Sequence, residues 1–347
     1  MGNPFFGVAP PPKPASLIDR AFKAAFTPKS LGKIPDPVVR ARARERARIV
    51  AFRDVVWNTL RSSVRSFPPL NSVHPFYREL ADVVFGVDRL RHCLGALEWA
   101  AKVTRKVAAA EVRNLYRAED FPRLESVRKR AMARMVSIVR RVSEEIGCVR
   151  EAAARLRKLP SIDPQTPTVV LAGPPNTGKS TLVRRISTGR PEVAEYPFTT
   201  KGILLGHASL RGVGRVQVMD TPGLLDRPLH ERNEIELQAI VALKWLADVI
   251  LFVSDPSETC GYRIEQQIGL LREIASQFGE SPIIVVLNKA DLGGLFERGA
   301  REFTNACRDL CFPHLRVSAE RGEGIEELLE VVRREFQGGR RRAGGSP

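Results

Sequence analysis

A short apolar run, Thr168-Val-Val-Leu-Ala172, leads directly into Gly173-Pro-Pro-Asn-Thr-Gly178-Lys179-Ser180. The spacing G-x-x-x-x-G-K-[ST] between a buried strand and a helix is that of a phosphate-binding loop, and it restricts the fold more than any other part of the chain. Glycines there let successive backbone N–H groups wrap an anion, and the helix N-terminus adds its positive end. The pattern predicts that Asn176, Thr177, Gly178, Lys179, Ser180 and Thr181 line the phosphates of a nucleotide. Lys179 is expected to reach the β- and γ-phosphates, and the Ser180 hydroxyl to ligate Mg²⁺. ATP- and GTP-using proteins share this loop, so the base must be read elsewhere.

Three further motifs follow in order, each at a strand end. Asp220-Thr-Pro-Gly223 offers a carboxylate that can hold Mg²⁺ and a Gly223 N–H that can bond a γ-phosphate. Asn288-Lys-Ala-Asp291 supplies Asp291, which can accept both N–H groups of a guanine edge. The Lys289 stem can lie along the base, and Asn288 can tie this segment to the phosphate loop. Ser318-Ala319-Glu320 can present a backbone N–H to the guanine O6. Adenine has an amino group at that position, so it would leave buried partners unpaired. Between the first two motifs, Tyr196-Pro-Phe-Thr-Thr200 reads as a switch segment, with Thr200 rather than Thr199 expected on Mg²⁺ and γ-phosphate. The catalytic set is therefore Lys179, Thr200 and Gly223, and the metal set Ser180, Thr200 and Asp220. Leu224 stands where many GTPases carry a water-orienting glutamine, which predicts slow hydrolysis without an activator. Asn176 fits either a loop-stabilising role or recruitment of K⁺ beside the phosphates.

Around these motifs apolar strands alternate with helices: Thr168–Ala172, Val216–Met219, Val249–Val253, Ile283–Leu287 and Leu315–Val317. Such alternation predicts an α/β domain with a mostly parallel sheet over residues 161–337. Residues 36–160 instead show the three- and four-residue steps of amphipathic helices, an all-α antiparallel bundle. Asp36-Pro37 opens its first helix and Asp88 is read as the cap of another. A single helix from Asp120 to Leu159 would be about 60 Å long. Residues 1–35 read as an irregular or partly helical arm and 338–347 as a disordered tail.

Charge divides the same way. Residues 1–160 hold 32 Lys and Arg against 15 Asp and Glu, while the remainder holds 23 against 24, so the whole net +16 belongs to the helical half. Such an excess suggests an anionic partner, nucleic acid or membrane surface. Arg123, Arg128, Arg130, Arg134 and Arg141 are the candidate RNA contacts. Five scattered cysteines argue against a disulfide framework and for a reducing compartment. Cys307 and Cys311 lack a second ligand pair and read as one turn of helix. No apolar run is long enough to span a bilayer, and no signal or lipidation motif opens the chain, so a cytoplasmic protein is expected. No pattern points to an obligate oligomer.

The stretches YPFTTKGILLGH and VQVMDTPGLLDRPLHERNEIELQAIVAL resemble the Obg-related GTPases, and most closely the nucleolar GTP-binding protein family. The resemblance extends to HPFYRELADV, RLESVRKRAMARM, LPSIDPQTPTVVLAGPPNTGKS and the segment Asp255–Gly261, covering about residues 35–290. It implies a GTPase, using GTP/GDP and Mg²⁺, that acts in large-ribosomal-subunit assembly, with its helical domain docked on rRNA of precursor particles. Eukaryotic members carry a long extension after the nucleotide domain, so an archaeal-type member without it is expected. A membrane-surface GTPase using the basic bundle on anionic lipid is the alternative.

Overall fold

The computed structural model describes residues 2–28, 30, 34–196, 202–226, 232 and 234–339. Two compact units result. One takes Pro4–Val73 and Val84–Lys158, and the other takes Asn3, His74–Val83 and the chain from Leu159 onward.

The second unit is built on a seven-stranded sheet. Its strands are β1 (Thr168–Ala172), β2 (Glu192–Ala194), β3 (Ile203–Leu210), β4 (Gly214–Asp220), β5 (Val249–Ser254), β6 (Ile283–Leu287) and β7 (His314–Arg316), in the order β2-β3-β4-β1-β5-β6-β7. From β4 to β7 the pairing is parallel, and β3 runs antiparallel to both β2 and β4. The five parallel strands are those read from the sequence. β2 and β3 were not expected: β2 has three mostly exposed residues, and β3 alternates buried and partly exposed positions. Neither carries the continuous apolar run that marks a strand buried on both faces. Val169, Leu171, Val183, Val218, Leu251 and Val286 fill the core between the sheet and its helices. Because β1, β4, β5, β6 and β7 run the same way, the segments following each emerge along one edge, where ligands of open α/β sheets bind.

The approach to β1 is fixed by two side chains. The buried Tyr77 hydroxyl accepts from the Ile162 N–H at 2.9 Å and lies 2.9 and 2.7 Å from the Pro160 and Ile162 carbonyls. Gln217 of β4 donates to the Asp163 carbonyl and the Thr168 hydroxyl, both at 2.9 Å. Tyr77 belongs to α3 (Pro75–Phe85), which lies within the expected bundle range 36–160 but most of which packs in the nucleotide-side unit.

The helical unit consists of α1 (Pro14–Phe26), α2 (Pro37–Ser66), α4 (Val87–Tyr116), α5 (Phe121–Arg141) and α6 (Ser143–Leu156). α2 packs against α1, α4 and α5. Asp36 caps α2 by accepting from the Val38 and Val39 N–H groups at 2.7 and 2.9 Å, with Pro37 in the first turn. One expectation is made definite and three need correction. The arm at 1–35 contains α1, whose Leu17, Ala21 and Ala25, four apart, are buried; Phe5 and Val8 are buried too. Asp88 lies inside the first turn of α4, and Gly86 takes the cap. The helix expected from Asp120 to Leu159 is interrupted at Val142. There Arg140 and Arg141 close one helix and Glu144 and Glu145 open the next, charges matched to the two dipole ends. Finally, Cys93 of α4 and Cys148 of α6 form a disulfide, because the two helices pack together and bring residues 55 apart in sequence to a Cα separation of 6.4 Å. At the other end, α11 (Ile325–Gly339) runs into the expected tail, and 340–347 lie outside the described residues.

Two buried carboxylates stitch the arginine-rich helices together. Glu45 of α2 pairs with Arg48 at 2.9 Å and Arg128 of α5 at 2.8 Å. Glu111 of α4, 1% exposed, pairs with Arg130 and Arg134 of α5, both at 2.9 Å, and accepts from Asn114 at 3.0 Å. Burial alone would raise the Glu111 pKa, but Arg130, Asn114 and Arg134 outweigh it and hold it below the usual 4.5. The stabilisation is therefore complete above that value and fades as pH falls through the lower folded-state pKa. We expect Glu111→Gln to cost about 1–3 kcal/mol at pH 7 in urea unfolding, a difference that shrinks toward zero in strong acid.

Candidate nucleotide site

The phosphate loop follows from two glycines. Gly173 has φ +130° and a Cβ there would lie 2.2 Å from the Val253 carbonyl; Gly178 has φ +95° and a Cβ there would lie 2.3 Å from Asn288 Nδ2. Only glycine allows both the turn and the close approach. Asn176 at the loop's exposed crest also adopts a left-handed φ of 60°. Inside the loop, the buried Lys179 ammonium donates to the Gly173 and Pro174 carbonyls, each at 2.7 Å. Burial pushes its pKa down, while the charges of Asp220 and Asp226 oppose that shift. Thr177 is buried and donates to the Pro174 carbonyl at 3.0 Å; Thr181 sits partly buried in α7 (Lys179–Ile186).

Ser180 and Asp220 meet, with the hydroxyl donating to Asp220 Oδ2 at 2.5 Å. Burial pushes the Asp220 carboxyl up, against the opposing pull of Lys179 and Ser180. Among the described residues, Asp220 Oδ1 is buried with no hydrogen-bond partner. A buried carboxylate oxygen in need of a partner, beside a hydroxyl and facing a phosphate loop, is the hard oxygen donor set that suits Mg²⁺. Thr199 and Thr200 lie outside the described residues. Gly223 has φ +83°, and its N–H donates to Asp226 Oδ2 at 2.8 Å. Leu224 is fully buried, so it cannot address a water molecule.

The base-side motifs come together around Asn288. Its Nδ2 donates to the Thr177 carbonyl at 2.8 Å, and its Oδ1 accepts from the Ala319 N–H at 2.9 Å. The N–H expected for guanine O6 is thus engaged by Asn288, and a base would have to share it. Ser318 donates to Asp291 Oδ1 at 2.6 Å, which orients the carboxylate and leaves its second oxygen for a ligand. Lys289, at φ 67°, sends its ammonium to Asp255 Oδ2 at 2.7 Å and Thr259 Oγ1 at 2.8 Å.

Asp255 was read from sequence only as part of a resemblance, and the structure gives it a role. Fully buried after β5, it accepts from Thr259 Oγ1, the Ser257 N–H and the Cys260 N–H besides Lys289. Burial would raise its pKa, yet Lys289 and the Ser257 and Thr259 hydroxyls hold it below the usual range. Gln267 of α9 (Ile264–Gln277) completes the frame, accepting from the Asp255 N–H and donating to its carbonyl, both at 2.9 Å. The sequence signal was the run of small hydroxyl residues straight after a buried strand.

The five candidate RNA contacts separate. Arg128 is 11% exposed, committed to Glu45 and stacked over Phe26. Arg130 and Arg134 bond Glu111 but remain half-exposed. Arg123 is exposed, and Arg141 is exposed with its guanidinium over the exposed Trp99 ring at 5.2 Å. The remaining cysteine pair lies apart from this chemistry: Cys307 is buried in α10 (Gly294–Asp309), its thiol pushed up to about 11 by burial, and Cys311 lies past the end of that helix at φ 56°.

A mostly parallel sheet with a G-x-x-x-x-G-K-S loop after β1, Asp220 ending β4, Asn288–Asp291 after β6 and Ser318-Ala319 after β7 defines the fold of the P-loop GTPases. A family model described as the NOG1 N-terminal helical domain matches residues 5–163, and one described as Nucleolar GTP-binding protein 1 (NOG1) matches residues 234–291. An uncharacterized protein of Methanocaldococcus jannaschii is 42% identical over 74% of this chain and 71% of its own. Nucleolar GTP-binding protein 1 of Drosophila melanogaster is 36% identical over 76% of this chain and 41% of its own, and that of Saccharomyces cerevisiae 36% over 66% and 35%. The chain belongs to the nucleolar GTP-binding protein 1 family, and it covers 41% or less of these two eukaryotic relatives' length.

The Asp255–Lys289 pair gives a direct test of the base-side frame. Asp255→Asn keeps the shape but leaves Lys289 without its counter-ion, so GDP affinity should fall about tenfold, roughly 1.4 kcal/mol. Titration of a fluorescent GDP checks this, with circular dichroism to show that the fold is kept.

Proposed function

We propose that this chain binds and hydrolyses GTP and acts in assembly of the large ribosomal subunit, its basic helical unit docking on rRNA of precursor particles. The observation that carries the nucleotide reading is the frame of Asn288, Asp291 and Ser318. A hydrogen-bonded carboxylate and a tethered loop at the strand ends suit the guanine edge and leave adenine's partners unsatisfied.

In this reading Lys179 neutralises the β- and γ-phosphates, and Gly223 offers its N–H to the γ-phosphate. Ser180 and Asp220, with Thr200, would hold Mg²⁺, which supplies charge neutralisation on the phosphate oxygens when bound. Water attacks the γ-phosphorus and GDP leaves. Leu224, buried, gives that water no amide to orient it, so hydrolysis by the protein alone is slow, on the order of 10⁻⁴ to 10⁻² per second. Asn176, exposed at the crest of the loop, can seat K⁺ beside the phosphates. Faster turnover in potassium than in sodium supports that role, and equal rates remove it.

The base assignment is tested by Asp291→Asn. Reversing one hydrogen-bond polarity should weaken GTP by on the order of 10²-fold and improve xanthosine triphosphate, whose carbonyl can accept from the new amide. Full GTP affinity in the variant, with no gain for xanthine, contradicts the assignment.

The charge excess of the helical half supports the rRNA reading, and no described helix is long and apolar enough to cross a membrane. Phosphate contacts release counterions, so RNA affinity should fall steeply with salt, and Arg123→Ala or Arg141→Ala should each lower the slope by roughly 0.7 to 0.9. Arg128→Ala, which removes a buried ion pair, should instead lower stability and leave the slope unchanged. Filter binding to large-subunit rRNA across a salt series, with anionic liposomes alongside, reads both outcomes. Binding to liposomes but not RNA favours a membrane-surface role.

A further inference from the structure

The residues that would grip a γ-phosphate already grip a carboxylate. The Gly223 N–H donates to Asp226 Oδ2 at 2.8 Å, and Asp226 Oδ1 accepts from Arg232 Nη2 at 3.0 Å. The second guanidinium nitrogen of Arg232 bonds the Gly223 carbonyl, so one arginine holds both the carboxylate and the peptide it caps. The Arg232 side chain is fully buried and Asp226 is 15% exposed, which shields this pair from water and makes it stronger than a surface ion pair. From the phosphate loop, Lys179 feels the negative charge of Asp226 together with that of Asp220. Asp226 thus takes the Gly223 hydrogen bond assigned above to a γ-phosphate, and its negative charge reaches Lys179 as a γ-phosphate's would.

One N–H donor serves one anion well, and two anions at that donor repel each other. Gly223, at φ +83°, occupies backbone space that glycine enters freely, so its peptide can turn from one acceptor to another. We propose that Asp226 is the protein's own stand-in for the γ-phosphate, held in place by Arg232, and that a nucleoside triphosphate must displace it while a diphosphate need not. The proposal rests on the nucleotide reading above and deepens it by naming the residue that sets the preference between triphosphate and diphosphate. A diphosphate leaves the Asp226–Gly223 bond intact. A triphosphate breaks it, so the competition lowers triphosphate affinity alone.

The test uses the full chain with Mg²⁺ and fluorescent forms of GDP and a non-hydrolysable GTP analogue, on the wild type, Asp226→Asn and Asp226→Ala. Asparagine keeps the size and removes the charge, and alanine removes the acceptor as well. The analogue should bind about tenfold more tightly to either variant than to the wild type, with GDP affinity within about twofold of it. An unchanged ratio of the two affinities in both variants, or weaker analogue binding in both, overturns the proposal. So does a variant that no longer binds GDP, since the stand-in has no part in diphosphate binding. A wild type that binds neither nucleotide overturns the underlying site reading as well.

Discussion

The side chain of Asn288 bonds the Thr177 carbonyl and the Ala319 N–H, while its own N–H bonds the Ser254 carbonyl. Thr177 and Ala319 follow β1 and β7, Ser254 ends β5, and no local sequence brings them together. The amide is 3% exposed, so leaving any of its bonds unmade would strand a buried polar group at about 1–3 kcal/mol. That constraint fixes the phosphate loop relative to the two segments that face the base. Gly178 must be glycine because Asn288 passes where its Cβ would be. Asp291 and Ser318 then meet as neighbours, and Lys289 is turned toward Asp255.

A second constraint shapes the helical unit. An excess of arginine on closely packed helices would repel itself, and the buried Glu45 and Glu111 answer it by gathering arginines from α2 and α5. The bundle therefore spends part of its positive charge on its own cohesion. Of the five candidate arginines, the four that stay exposed, Arg123, Arg130, Arg134 and Arg141, keep charge available to an anionic partner. Counting basic residues along the chain overstates that part, as Arg128 demonstrates.

The sequence made most of the nucleotide unit legible because the requirements are local. A parallel strand buried on both faces reads as an apolar run, and each motif begins at the end of one or within two residues of it. β2 and β3 escaped because half-exposed antiparallel strands carry no such run. In the helical half periodicity revealed the helices, while their ends depended on finer chemistry. The break at Val142 was written in Arg140-Arg141 followed by Glu144-Glu145, a charge reversal overlooked because the apolar stripe continues through it. The Cys93–Cys148 bond and the Asp255–Lys289 pair could not be read at all, since each joins segments that only the tertiary packing brings together.

The central claim is that these strand ends hold a guanine nucleotide by its base as well as its phosphates. Calorimetric titration of the full chain with GDP and with ADP, both with Mg²⁺, measures this directly. A site that leaves buried partners of the wrong base unpaired should favour GDP by on the order of 10³-fold or more. Equal affinities for the two diphosphates would contradict the account, because the phosphate loop would then be acting alone.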